Sequence, residues 1–245
     1  MALPDTRTNV TEQGTWPGAM SFRRGWAHAS IRPWNDVASD ASLRLLRGGQ
    51  SFLRTCSNRT IDYGALSVLS PPLSASSTRT WETAGYKEFL RFAMMRLSLT
   101  EQPPAPNHLV VESDKDMIED LLSVDAAAFS SFWRFGKLGL REAFLATSRS
   151  SVLIIRDSFG KATGFAIVGF GHTISYLQRV AVHPDWQRKG MGRSLVRVAA
   201  RKAREAGSKI MLLNTQIDNT PGIQLYKSEG YVQLLNPLYL LRYKG

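Results

Sequence analysis

A single cysteine, Cys56, stands among 245 residues, which excludes an intrachain disulfide and any cysteine-rich zinc site. Long apolar runs are missing too. None approaches the 18 or so residues of a membrane-spanning helix. The N-terminus, with Asp5, Arg7 and Glu12, lacks the apolar stretch of a secretory signal. These absences predict a cytoplasmic chain with no membrane contact and no metal. Acidic residues are scarce as well: 20 Asp and Glu against 31 Lys and Arg leave a formal charge of +11. Strongly cationic ligands are therefore disfavoured. What is present is apolar material, 43% of the chain, enough for one large domain or two small ones.

The positive charge is bunched. Arg188, Lys189, Arg193, Arg197, Arg201, Lys202 and Arg204 follow one another with no acid before Glu205. Just upstream, residues 174–182 form a β-type run that ends at His183-Pro184. A Gly190-x-Gly192 pair then leads into an amphipathic helix expected over 191–206, with Leu195, Val198, Ala199 and Ala203 on its apolar side. Glycines let a backbone turn tightly and approach a ligand closely. The free N–H groups of a first helical turn, and the helix dipole, favour an anion there. The segment reads as a phosphate cradle for a ligand carrying a pyrophosphate. The cluster is thus assigned to a coenzyme rather than to nucleic acid, and Arg201–Arg204 to a solvated helix face.

The remaining pattern gives an order of elements. Residues 1–20 are polar and read as a flexible tail. Residues 21–34 suggest one strand. Residues 42–58 suggest a helix weakened by Gly48-Gly49. Residues 65–69 read as a short buried strand. Pro103-Pro104-Ala105-Pro106 is an extended spacer and the expected domain boundary. Beyond it come a strand over 109–112, a helix to Phe129 capped by Asp114 or Asp116, an aromatic turn around Phe132 and Trp133, and a short helix over 140–146. Strands over 152–155, 164–170 and 174–182 follow, then the basic helix. A strand over 210–213, a helix from Pro221 to about Ser228 stopped by Gly230, and two closing strands complete the chain.

Gln187-Arg188-Lys189-Gly190-Met191-Gly192 resembles the Q/R-x-x-G-x-G/A signature of the GNAT superfamily of N-acyltransferases, and Val180-Ala181-Val182-His183-Pro184 resembles the strand end that precedes it there. Asn219 and then Leu225-Tyr226 through Gly230-Tyr231 resemble that family's closing motif. The resemblance covers roughly residues 106–245 and is similar to ribosomal-protein alanine N-acetyltransferases. It implies an α/β (α+β) GNAT fold, a mixed central sheet flanked by helices. It also implies an enzyme that moves acetyl directly from acetyl-CoA to an amine, either a protein N-terminus or a small molecule. Carried over residue by residue, Val180, Ala181 and Val182 would hold the pantetheine arm. Arg188, Lys189, Gly190, Met191, Gly192 and Arg193 would hold the pyrophosphate. Asn219 would bond the pantetheine or order its loop, and Tyr226 would be the general acid. Trp133 and Asn214 would face the acceptor. Asn214 stands where those enzymes carry a glutamate base, so His172, His183 and Glu142 are the substitutes to weigh. The alternative is a non-catalytic acyl-CoA-binding or interaction module on the same scaffold.

The closing motif has an echo. Trp81-Glu82-Thr83-Ala84-Gly85-Tyr86 aligns with Tyr226-Lys227-Ser228-Glu229-Gly230-Tyr231, 145 positions further on. The expected organisation is therefore a tail over 1–20, a degenerate GNAT-like half over 21–102, a linker over 103–106 and a catalytic domain over 107–245. The first half has Ser74 and Trp81 where the second has Asn219 and Tyr226, and it lacks the glycine signature.

Overall fold

The computed structural model describes residues 10–113 and 117–245. The capping role expected of Asp114 or Asp116 lies outside them. Two compact units emerge, and they do not part at the proline-rich segment. One unit holds the described residues up to Trp34, then Ala38–Phe92 and Asn236–Gly245; the other holds Asn35–Val37 and Ala93–Leu235. The divisions fall between Phe92 and Ala93 and between Leu235 and Asn236, whereas the spacer at 103–106 lies within the second unit. Strand pairing is the reason: a strand is grouped with the neighbours that satisfy its backbone, not with its neighbours in sequence.

The first unit begins with an antiparallel meander of β1 (Thr11–Gly14), β2 (Met20–Arg24), β3 (Ala27–Pro33) and β4 (Ala41–Arg47). Residues 11–14 are thus not a loose tail. Their pairing with β2 is reinforced by Glu12, which meets Arg59 and Tyr63 of the following helical segment. The one strand expected over 21–34 is a hairpin, turned at Gly25 with φ of 57°. The helix expected over 42–58 is likewise divided by its glycines. β4 stops at Arg47, Gly48 takes φ of 133°, and α1 runs over Gln50–Asp62. β5 (Val68–Leu69) then lies parallel to β4, followed by α2 (Arg79–Thr83) and β6 (Lys87–Ser98). The chain's last strand, residues Leu238–Tyr243, pairs with both β5 and β6. Phe22, Ala29 and Leu43 pack on Phe52, Leu53 and Cys56 of α1, with Trp81 and Tyr86 closing the core. Burial pushes the Cys56 thiol up to about 12, so it is an inert core residue rather than a nucleophile.

The second unit follows the expected order closely. It contains β7 (Val111–Ser113), α3 (Ile118–Ala128), α4 (Lys137–Leu145), β8 (Arg149–Arg156), β9 (Ala162–Phe170), β10 (Ile174–Val182), α5 (Met191–Glu205), β11 (Ile210–Gln216), α6 (Thr220–Ser228) and β12 (Val232–Gln233). β7 to β10 form an antiparallel ladder, and α5 carries the chain over to β11, parallel to β10. The later residues of β6 complete this sheet beside β11 and β12. Leu121, Leu140 and Phe144 of α3 and α4 cover one face, against Ile154 and Phe165. Leu195, Ala199 and Ala203 of α5 cover the other, against Leu153, Val168 and Met211. Among the described residues no helix is long and apolar enough to cross a membrane.

The sequence echo has a geometric counterpart. Trp81 and Tyr86 meet edge to face at 4.9 Å, and Tyr226 and Tyr231 do so at 5.7 Å. In both places a glycine at positive φ (Gly85 at 104°, Gly230 at 85°) ends the helix, and the aromatic after it donates its N–H to the carbonyl of the helical ring residue. Strand, helix, parallel strand, helix and strand recur in both halves.

Candidate active site

A cleft arises where β10 and β11 part. They pair only at Ile174 with Ile210, Ser175 with Met211 and Tyr176 with Leu212, although β10 continues to Val182 and β11 to Gln216. The separation begins at a β-bulge at Gln178, where the register to β9 slips between Leu177 and Arg179. A bulge bends and twists its strand, and here it turns β10 away from its parallel neighbour. Past the bulge, Val180, Ala181 and Val182 pair with Ala166, Phe165 and Gly164 of β9 alone. Among the described residues no strand pairs with their other edge, the condition under which an extended ligand can add as a strand.

The glycine loop closes one end of that cleft. His183 donates its N–H to the Thr163 carbonyl at 2.8 Å, and Pro184–Trp186 make a 3₁₀ turn. Gln187 donates from its side chain to the Val182 carbonyl at 3.0 Å. Arg188 then adopts φ of 61° and Gly190, the helix N-cap, φ of 83°. Left-handed residues so close together gather backbone N–H groups into an anion-binding nest. Ser194 is the first residue to donate back to Gly190, so the N–H groups of Met191, Gly192 and Arg193 have no intrahelical acceptor. This donor set suits a pyrophosphate. His108 braces the loop, its Nε2 lying 2.7 Å from the Lys189 carbonyl.

Tertiary contacts alter the electrostatics read from the sequence. Glu229, whose side chain is only 4% exposed, takes Arg193 at 2.8 Å and Arg197 at 2.7 Å. Lys202 pairs with Glu112, and Arg204 donates to Gln102 at 2.7 Å. Lys189 lies over the Trp186 ring and donates to the Asp185 carbonyl. The basic cluster is therefore largely engaged inside the protein. Of the loop's own side chains Arg188 is exposed, beside the first-turn backbone N–H groups of α5.

Tyr226 stands on α6, close enough to Arg179 of β10 to feel its charge. Among the described residues its hydroxyl makes no hydrogen bond, although its ring is packed on Tyr231. Burial pushes the phenol up to about 12, opposed in part by the nearby Arg179 cation. It therefore holds its proton throughout the neutral range. Asn219 is occupied at both ends. Its Oδ1 accepts from Gly222 N–H at 3.2 Å as the N-cap of α6, and its Nδ2 donates to Thr215 at 2.8 Å. Asn219 thus caps α6 and ties it to Thr215, with one Nδ2 hydrogen and one Oδ1 lone pair beyond these two bonds. Asn219→Ala should cost about 1 kcal/mol as a lost cap, read in thermal unfolding, while Tyr226 chemistry is only indirectly touched.

The most elaborate side-chain network of this unit is one that no sequence motif marks. Arg179, directly after the bulge, forms a two-pronged ion pair with Asp125 of α3 at 2.7 and 2.9 Å, and donates to the Trp133 carbonyl at 2.8 Å. Its guanidinium lies 3.6 Å from the Phe129 ring centre and 4.0 Å from that of Phe135. Asp125, fully buried, also accepts from Phe135 N–H at 2.6 Å. Asn35 donates to the carbonyls of Ser131, Phe132 and Arg134, and Asp36 accepts from the first N–H of α4. The aromatic turn that carries Trp133 is fastened from three directions. The available signal was an acid at an apolar-period position of α3 and an arginine inside an apolar strand.

Of the residues weighed as a base, His172 sits on the β9–β10 turn at the strand end opposite the glycine loop. His183 caps the 3₁₀ turn, its Nδ1 accepting from Asp185 N–H. Glu142 lies on α4 and Asn214 is exposed on β11 beyond the point of separation.

The fold is the mixed α/β arrangement of the GNAT proteins. Residues 116–231 match the model of the acetyltransferase (GNAT) family. It is similar to a mycothiol acetyltransferase of Thermobifida fusca, at 36% identity over 85% of this chain and 61% of that protein. It is also similar to the L-amino acid N-acyltransferase MnaT of Escherichia coli (32% identity, 33% of this chain, 49% of that one). The chain spans between about half and three-fifths of the length of these curated relatives. The fold is shared with a tandem GNAT protein from the clavulanic acid biosynthesis pathway (TM-score 0.66, 13% identity, 99% of this chain and 84% of that one). A GCN5-related N-acetyltransferase from Sphaerobacter thermophilus shares it too (TM-score 0.61, 17% identity, 93% and 81%).

Proposed function

We propose that the chain is an acetyl-CoA-dependent N-acetyltransferase whose second unit carries the reaction and whose first is a degenerate GNAT-like half. One observation supports this above others: among the described residues no strand pairs with the outer edge of Val180–Val182, which lies between the first-turn N–H groups of α5 and Arg179, whose charge reaches the Tyr226 phenol. Bound acetyl-CoA would supply a thioester whose acetyl group passes directly to an amine. The chain's part is to hold the extended arm along β10, to neutralise the pyrophosphate at Met191, Gly192 and Arg193, and to donate the Tyr226 proton to the departing sulfur. The acceptor amine is a small molecule. This choice rests on the relative that covers most of the chain being named for one, whereas the ribosomal protein bS18-alanine N-acetyltransferase of Escherichia coli matches only 29% of it.

Gly192 tests the cofactor site without testing the fold. A Cβ there would lie 3.4 Å from Leu225 and 3.8 Å from Val182, ordinary contact distances, so the fold has room for a Cβ at this position. With acetyl-CoA at roughly a hundredfold excess over Kd, stabilisation of about 2.7 kcal/mol is expected. Gly192→Glu should melt like the parent without ligand and lose that gain with it. Equal gains in both proteins would place the coenzyme elsewhere. Release of free thiol from acetyl-CoA across a panel of amines then identifies the acceptor, and its absence with every amine would favour a binding module.

A further inference from the structure

The meander of the first unit has a second face. Met20 and Phe22 of β2, Ala27, Ala29 and Ile31 of β3, and Ala41 and Leu43 of β4 point into the core on α1. Side chains alternate along a strand, so their neighbours in sequence point the other way. Those neighbours are Ser21 and Arg23, then His28, Ser30 and Arg32, then Ser42 and Arg44, with Arg47 returned to the same side by a bulge. In the second unit the comparable face of β8 and β9 is covered by α3 and α4. In the first, only short connections link β1 to β4, and no helix of that unit is available to cover it.

The composition of this face is one-sided. No Asp or Glu stands at any of those positions, and Glu12 of β1 is turned toward Arg59 and Tyr63 instead. Register sets Arg23 opposite His28 and His28 opposite Arg47. Three nitrogenous side chains therefore form a row about 10 Å long at the usual strand spacing. Arg44 and Ser21 flank Ser30 in the next row. Arg23, Arg44 and Arg47 are exposed. At the β2–β3 turn bordering the face stands Trp26, 70% exposed. Guanidinium groups bind phosphate oxygens in pairs, hydroxyls donate to them, and an exposed indole stacks on bases.

We propose that this face binds single-stranded nucleic acid, separately from the acyl transfer of the second unit. An acidic protein would answer the charge but leave Trp26 without a role, and a duplex would not offer the indole an unstacked base.

The test is fluorescence anisotropy of a fluorescein-labelled, mixed-sequence RNA of about 15 nucleotides, titrated with the full chain at roughly 50 and 200 mM salt. Arg44→Glu with Arg47→Glu should weaken binding at least tenfold and flatten the salt dependence by about 0.7 in the log–log slope for each phosphate no longer neutralised. Arg201→Glu with Arg204→Glu on α5 makes the same change in net charge and should have far less effect. Trp26→Ala should weaken binding roughly fivefold or more with the slope unchanged. Should the double glutamate variant fail to fold, Arg44→Gln with Arg47→Gln makes the same comparison and should lose affinity in the same direction. The proposal is overturned by an RNA that does not bind. Equal losses from the α5 pair would overturn it too, as would poly-glutamate of matching charge binding as tightly with Trp26→Ala making no difference.

Discussion

Tyr226→Phe should lower kcat by about 10²- to 10⁴-fold, the range for a lost general acid, while acetyl-CoA still stabilises the protein as in the parent. Two features make the expectation sharp. The hydroxyl makes no hydrogen bond among the described residues, so its removal leaves no orphaned partner, and the ring keeps its packing on Tyr231. Folding and cofactor binding should therefore be spared. The phenol also sets a pH expectation. Burial raises it to about 12, and an acid must be protonated to act. Activity supported by Tyr226 is then full below that value and is lost only as pH rises through it. The pH–rate profile of the parent should show no alkaline fall from this group at any pH the fold survives. A variant retaining most of the parent kcat would remove Tyr226 from the chemistry. A fall on the alkaline side near pH 9, absent from Tyr226→Phe, would show the phenol to be far more acidic than its burial implies.

Asp125→Asn should be the most destabilising single change at the site. Removing one member of a buried ion pair leaves the other charge uncompensated, at about 3–5 kcal/mol. For a chain of this size that is a fall in Tm of roughly 6–20 °C, at 2–4 °C per kcal/mol. The substitution is nearly isosteric, so lost volume is not the cause. Asparagine can still accept from Phe135 N–H, which isolates the charge on Arg179 as the source. Asp125→Leu combined with Arg179→Met should recover most of the loss, because replacing both members of a buried pair by apolar residues is often neutral or better. The double variant would nevertheless free the Trp133 carbonyl from Arg179 and loosen the aromatic turn, so its KM for the acceptor should rise more than its kcat falls. If Asp125→Asn melts within about 1 °C of the parent, the pair is not the clamp its burial and geometry indicate.

Local signals were legible wherever a residue's role depends on its near neighbours in sequence. The Gly190 turn, the α5 stripe, the Gly230 stop and the order of elements from β7 onward could all be read from spacing, because helix periodicity and left-handed glycines are properties of short segments. The resemblance supplied the family, and the family match agrees with it. The fate of charge was not legible. Seven basic residues with no acid among them gave no sign of their partners, yet Glu229, Glu112 and Gln102, from 32 to 102 positions away, engage four of them. Nor was the clamp of Asp125 on Arg179, whose members are 54 residues apart.

By itself, then, the sequence determined the α/β class, the glycine turn that opens α5, an echo offset by 145 residues and the aromatic after the glycine in each copy, since all of these are written in local spacing. Only the tertiary structure decided which unit each strand joins, where β10 leaves β11, which cations remain available and which face of the first meander stays uncovered. Those outcomes depend on backbone and charge partners distant in sequence, and a buried polar group takes whichever partner the fold brings within hydrogen-bonding reach.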